Sequence, residues 1–203
     1  MTNTLAPEQR HARGRLWRVE LDSLPERAVR EALEHLARWA VPLSAGALGL
    51  PRVDDARYTD LALTISDIVA YARTGNAADW DDTSSAEDAF NDISILYDTL
   101  LGDSVTPADW LDDAEREGVR GELAEVARAV LARVRIAQGE PVPRQWLAAL
   151  AGVQLLTVVR AIKDRKLAIA APRKRARGAK AARDVTAASA RAWLIERGVE
   201  GVS

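Results

Sequence analysis

A single glycine between two apolar runs constrains this chain more than any other feature. In Leu147-Ala148-Ala149-Leu150-Ala151-Gly152-Val153-Gln154-Leu155-Leu156-Thr157-Val158-Val159-Arg160-Ala161-Ile162 both flanks have helical spacing, and Gly152 supplies the turn between them. The spacing predicts one helix over about 143–150, with Pro143 at a starting position where a missing N–H costs nothing, and a second beginning near Gln154. Val158 and Ile162, four residues apart, then face the first helix, and the small Ala148 lets the two backbones approach. Ala148, Gly152, Val153, Val158 and Ile162 are expected to form one compact interior. Two short helices around a tight turn make a helix-turn-helix.

Charge is unevenly distributed around that unit. The 203 residues hold 28 Lys+Arg and 30 Asp+Glu, but residues 141–203 hold 13 against 4 and residues 1–140 hold 15 against 26. The shift falls near Gln138-Gly139-Glu140-Pro141. It predicts an acidic domain over 23–138, a basic one over 141–203, and a flexible tail over 1–22. An excess of cations beside a helix-turn-helix is the electrostatic footprint of phosphate binding. Six of these cations lie between Leu167-Ala168-Ile169 and Asp184-Val185, where Arg173, Lys174, Arg175, Arg177, Lys180 and Arg183 follow Pro172. They read as a long wing that tracks the DNA backbone or enters an adjacent minor groove; the alternative is a solvated basic loop.

The same residues carry a family resemblance. Leu147, Ala148, Ala151, Gly152, Val153, Thr157, Val158 and Arg160 fill the pattern apolar-Ala-x-x-Ala-Gly-Val-x-x-x-Thr-Val-x-Arg, so the segment resembles the DNA-reading unit of lactose-repressor-type regulators. Further on, Val185-Thr186-Ala187-Ala188-Ser189-Ala190-Arg191-Ala192-Trp193-Leu194 is similar to the winged-helix units of excisionases and mercury-regulator-type activators, where a short wing leads into a closing helix. The resemblances cover roughly the last third of the chain. They imply a winged helix-turn-helix that binds double-stranded DNA.

Base readers in a major groove are normally polar, because donor and acceptor patterns distinguish the base pairs there. On the second helix the polar candidates are Gln154, Thr157, Arg160 and Lys163, with Arg160 best suited to a guanine or a phosphate. Leu155, Leu156 and Val159 occupy outward places as well. Aliphatic groups meet a thymine methyl or fill a partner's groove. The trio therefore keeps open an adaptor or assembly protein with a degenerate helix-turn-helix. A third alternative is an excisionase-like architectural factor, which binds DNA without controlling transcription.

The first two-thirds of the chain reads as helical throughout. Ser23-Leu24-Pro25-Glu26 is a capping box opening a helix with Val29, Leu33, Leu36 and Ala40, up to Pro42. Residues 59–73 put Ala62, Ile65, Ile68, Val69 and Ala72 on one face before Gly75. Ser84-Ser85-Ala86-Glu87 opens another helix, with Phe90, Ile93, Leu96, Tyr97 and Leu100, and Thr106-Pro107 starts a short one holding Trp110. Residues 119–137 carry Leu123, Val126, Ala127, Val130, Leu131 and Val134 before Gly139. No alternating pattern competes with these helices. The expected fold class is mainly all-α, an N-terminal helical bundle followed by a winged helix-turn-helix with a small β-hairpin wing. Trp17, Trp39, Trp146 and Trp193 are expected in cores.

Several function classes drop out. The chain has no cysteine, hence no disulfide or thiolate metal site. No apolar run approaches the roughly 20 residues that span a bilayer, and residues 1–14 lack a signal-peptide pattern, so a cytoplasmic, nucleoid-associated protein is expected. Residues 54–117 hold 17 acidic and 3 basic side chains, but a calcium loop from Asp79 is excluded by Ser84 and Phe90 at its required glycine and glutamate. His11 and His35 are isolated, and neither a phosphate-cradling glycine loop nor a nucleophile elbow occurs. The expectation is a protein without catalysis, cofactor or metal. Its expected partners are double-stranded DNA, a second copy of the chain as a homodimer, and a protein met through the acidic domain. That domain is also able, by charge, to fold against the basic wing and hold it off DNA.

Overall fold

The structure, a computed structural model, describes residues 21–31, 55–75, 118–171 and 184–202. These residues are mainly helical. A 3-10 turn, Leu21–Ser23, leads into α1 over residues 24–31. Then follow α2 (Asp55–Thr74), α3 (Val119–Ala137), α4 (Arg144–Leu150), α5 (Leu155–Lys163) and α6 (Ala187–Glu196).

α3 is the central element and packs against α2, α4 and α6. Val126, Ala127 and Val130 of the expected stripe are buried, and so are Ala124, Ala129 and Ala132 outside it. Alanines on the second side leave room for further helices to close in. Buried residues from Leu24 through Val202 belong to one hydrophobic cluster. The change of charge near Gln138–Pro141 thus falls at a turn within this cluster, with α3 on its acidic side packed against α4 and α6 on its basic side.

α2 buries Ile65, Ile68, Val69 and Ala72, as the spacing predicts, but it begins at Asp55 rather than at Thr59. Its apolar stripe starts only at Ala62, so periodicity carries no signal for the first turn. α1 begins after Ser23, whose hydroxyl accepts from Arg27 Nε at 3.1 Å, while Arg30 donates to Glu26 at 2.9 Å. Arg27 also donates to Glu122 in the first turn of α3, at 2.9 Å, joining the two helices. The expected helices from Ser84 and around Trp110 lie outside the described residues, as do Trp17, Trp39, His11, His35 and the acidic cluster at Asp79.

The end of α2 meets the end of the chain at Arg133. This side chain of α3 is 4% exposed. Its Nε donates to the Ala72 carbonyl at 3.1 Å and an Nη to the Arg73 carbonyl at 2.8 Å. The other Nη donates to the carbonyls of Glu200 at 2.8 Å and Gly201 at 3.0 Å. Last-turn carbonyls of a helix have no partner within it, so the guanidinium satisfies them and ties residues 200–201 to α2 at once. Gly75 and Gly201, with φ of 76° and 62°, pack backbone to backbone beside it. A Cβ on Gly201 would overlap the Thr74 carbonyl.

Three segments meet at Val185. It forms isolated antiparallel bridges with Val142 and with Ile169. Val142 and Val185 exchange both backbone hydrogen bonds, at 2.8 and 2.9 Å. On the other side, Ala170 N–H donates to Asp184 at 2.8 Å and Thr186 N–H to Ala168 at 3.0 Å. The chain before α4, after α5 and before α6 is pinned together there. Among the described residues no single helix is long and apolar enough to cross a membrane.

Candidate nucleic-acid interface

α4 and α5 meet at 114° across the break from Ala151 to Gln154. Helix-turn-helix units join their helices at about 90–120° through three or four residues, so the geometry predicted around Gly152 is present. Pro143 stands one place earlier than expected, as N-cap, with φ −58° and ψ 140°. Its carbonyl accepts the first helical bond, from Leu147 at 3.0 Å. At the other end, Gly152 adopts φ 62°; its N–H donates to Ala149 and that of Val153 to Ala148, both at 3.0 Å. This pair of bonds is the Schellman closure, which needs a left-handed residue and therefore favours glycine.

The inner side of the unit is apolar. Leu147, Leu150 and Val158 are fully buried, Ala148, Ala149 and Ala161 nearly so, and Val153 and Ile162 pack partly buried against them. Val158 and Ala161 thereby fix which side of α5 faces the protein.

The other side of α5 faces solvent. At about 100° per residue, Leu155, Val159, Lys163, Leu156 and Arg160 fall within roughly 140° of the helix circumference. Leu155 is 40% and Leu156 51% exposed, Arg160 and Lys163 are exposed, and Val159 is half-buried. The face is thus apolar at its N-terminal end and cationic at its C-terminal end. Gln154, the N-cap, is exposed, and its side chain makes no capping hydrogen bond. Thr157 is half-buried and falls about 60° outside the arc, toward the buried Ala161.

Two cations missed in the sequence extend the basic end. Arg165 and Lys166 directly follow the helix and are exposed, beside the exposed Asp164. Their signal was the run Lys163-Asp164-Arg165-Lys166 itself, legible as a cationic last turn. Arg165 also has φ 58°, the left-handed region, which no other described non-glycine residue adopts. The N–H of Arg165 donates to Ile162 at 3.1 Å and that of Lys166 to Ala161 at 2.9 Å, so α5 closes as α4 does but without glycine.

Three other arginines make contacts within the protein. Arg135 lies 4.9 Å from the Trp146 ring centre and donates to the Pro141 carbonyl at 3.0 Å. Arg191 donates to the Ile136 carbonyl at 3.3 Å, and Arg197 lies 4.2 Å from the ring centre of the buried Trp193. Arg173, Lys174, Arg175, Arg177, Lys180 and Arg183 lie outside the described residues. The segment that holds them is flanked by the bridge between Ile169 and Val185.

Chemically, the arrangement offers exposed cations, one amide and two leucines on a supported helix. Among the described residues no three His, Cys, Asp or Glu side chains gather as a metal site would require. Compared with protein families, curated proteins and solved structures, the chain matches none of them.

Proposed function

We propose that the protein is a DNA-binding regulator that docks on double-stranded DNA through α5 and a basic wing over residues 172–183. The observation that carries the reading is the outward face of α5. α4 crosses behind it at 114°, while Arg160, Lys163, Arg165 and Lys166 stand exposed at its end. Cations that no fold contact consumes can neutralise phosphates and release counterions. The pairing of 168–170 with 184–186 supports the wing, because it makes the basic segment leave and return at one place beside the helix pair. Gln154 and Arg160 are then the exposed polar groups nearest the bases, with the half-buried Thr157 beside them, and Lys163 and the wing cations the phosphate contacts. Two copies would place their α5 helices about one turn of DNA apart, occupying a promoter-type site.

Titrating full-length protein against a mixed-sequence duplex at several salt concentrations tests this. Affinity should fall linearly on a log-log plot, by about 0.9 for each phosphate neutralised. Absence of binding at tens of micromolar protein and low salt would sink the reading.

The exposure of Leu155 and Leu156 favours a second reading, in which the unit is an adaptor surface. Replacing both with serine separates the two. Loss of self-association with unchanged affinity and salt slope would favour the adaptor.

A further inference from the structure

Cations account for the C-terminal end of the outward face of α5 but not for its N-terminal end, where leucines meet water at a cost that burial would remove. We propose that this end selects A·T base pairs in the major groove, Leu155 and Leu156 covering thymine methyls and Gln154 taking an adenine edge. The inference rests on the DNA-binding reading above and adds what the helix recognises.

A docked helix-turn-helix turns the N-terminal residues of its second helix toward base edges. Here those residues are Gln154, Leu155 and Leu156, all exposed and none charged. Thymine is the only ordinary base that shows a methyl group in the major groove, so it is the base edge that gains from an exposed leucine. The amide of Gln154 is not spent on capping α5, and a glutamine can bond N6 and N7 of adenine together. Both residue types therefore name the same base pair, one from each strand. Charge complementarity identifies the occupant as nucleic acid, since Arg160 and Lys163 share the face with the leucines and Arg165 and Lys166 follow. Guanine, the usual target of arginine, would be approached only from that far end. There Arg160 stands four residues beyond Leu156, about 6 Å along the helix.

The test changes the DNA by one methyl group per thymine and leaves the protein intact. Full-length protein is titrated by fluorescence anisotropy against about 24-base-pair duplexes of alternating A·T, of the same sequence with deoxyuridine for thymidine, and of alternating G·C. The thymine duplex should bind tightest, by about fourfold over the uracil duplex for each methyl covered. The variant carrying Leu155→Ser and Leu156→Ser should lose that thymine preference and keep the wild-type salt slope. Gln154→Ala should weaken the thymine and uracil duplexes by the same factor. Equal affinity for thymine and uracil duplexes, with the salt slope intact, overturns this inference and leaves DNA binding standing. Failure to bind any duplex overturns both. A serine variant that loses self-association yet keeps the thymine preference assigns the leucines to a second copy of the chain, and overturns it too.

Discussion

Arginine serves opposite ends in two regions of this molecule. At the junction of α2, α3 and residues 200–202, Arg133 is buried and each of its nitrogens donates to a backbone carbonyl. Along α5 and its closing turn, Arg160, Lys163, Arg165 and Lys166 stand in solvent. A formal charge count treats both groups alike. Positive charge is available to a ligand only where the fold has not already used it, as it has used Arg191 inside the basic region.

Loss of the buried arginine should have the largest effect. Arg133→Met should destabilise the protein by about 3–5 kcal/mol, because carbonyls at the end of α2 and at residues 200–201 lose a charged donor. Urea unfolding measures it, and Arg133→Lys should recover only part, since one ammonium cannot reach carbonyls on both sides as a planar guanidinium does. A loss near zero would mean the junction holds by apolar packing alone. Tyr71 provides a second readout. Burial raises its phenol pKa above 10.0, and the nearby positive charge of Arg133 opposes that shift. Arg133→Met should therefore raise it further, visible as a later phenolate absorbance change. A raised folded-state pKa contributes stability that is present below the unfolded value of about 10 and disappears as pH rises through the folded one.

The neighbouring glycine should matter slightly less. Gly201→Ala puts a Cβ onto the Thr74 carbonyl at a residue with φ 62°, and should cost about 2 kcal/mol or more. The same substitution at Gly198, whose left-handed φ is 68° but whose Cβ would meet nothing, should cost about 1 kcal/mol. Equal losses would show that the contact at Gly201 is not tight.

Much of this was legible in the sequence, and the boundary of legibility is physical. α3 ends where Gly139 predicts, the helix pair breaks where Gly152 predicts, and Val158 faces inward at its helical spacing. Such features are local, set by residues within one or two turns. Arg133 was not legible, because its carbonyl partners lie 60 to 68 residues away in sequence. Nothing in a lone arginine on an apolar helix announces that the chain's end will meet it. The same holds for Val142, Ile169 and Val185, since single bridges leave no alternating pattern to read. On α5 the exposure of Leu155, Leu156, Arg160 and Lys163 followed from periodicity, whereas the left-handed backbone of Arg165 did not.

For the exposed cations of α5 the expected losses are in binding, not in folding. Arg160→Ala and Lys163→Ala should each weaken duplex binding by about tenfold or less and reduce the salt slope by about 1, with unfolding midpoints unchanged. Arg160→Ala weakens all sequences alike if its partner is a phosphate, and relaxes preference at one position if its partner is a guanine. Unchanged affinity in both variants would remove both side chains from the interface.

Arg165 serves the fold through its backbone while its side chain stands in solvent, and its replacement should have the smallest effect. Its backbone closes α5 in the left-handed conformation that Gly139, Gly152 and Gly198 provide for α3, α4 and α6. A non-glycine residue holds that conformation at a cost of about 1–2 kcal/mol, partly offset because glycine loses more backbone freedom on folding. Arg165→Gly should therefore stabilise the protein by about 0.5–1 kcal/mol in urea unfolding, while weakening duplex binding and lowering the salt slope. A gain in stability with binding unchanged would remove Arg165 from the interface. Both changes together would mean that the fold bears a strained residue at that turn because its charge is used there.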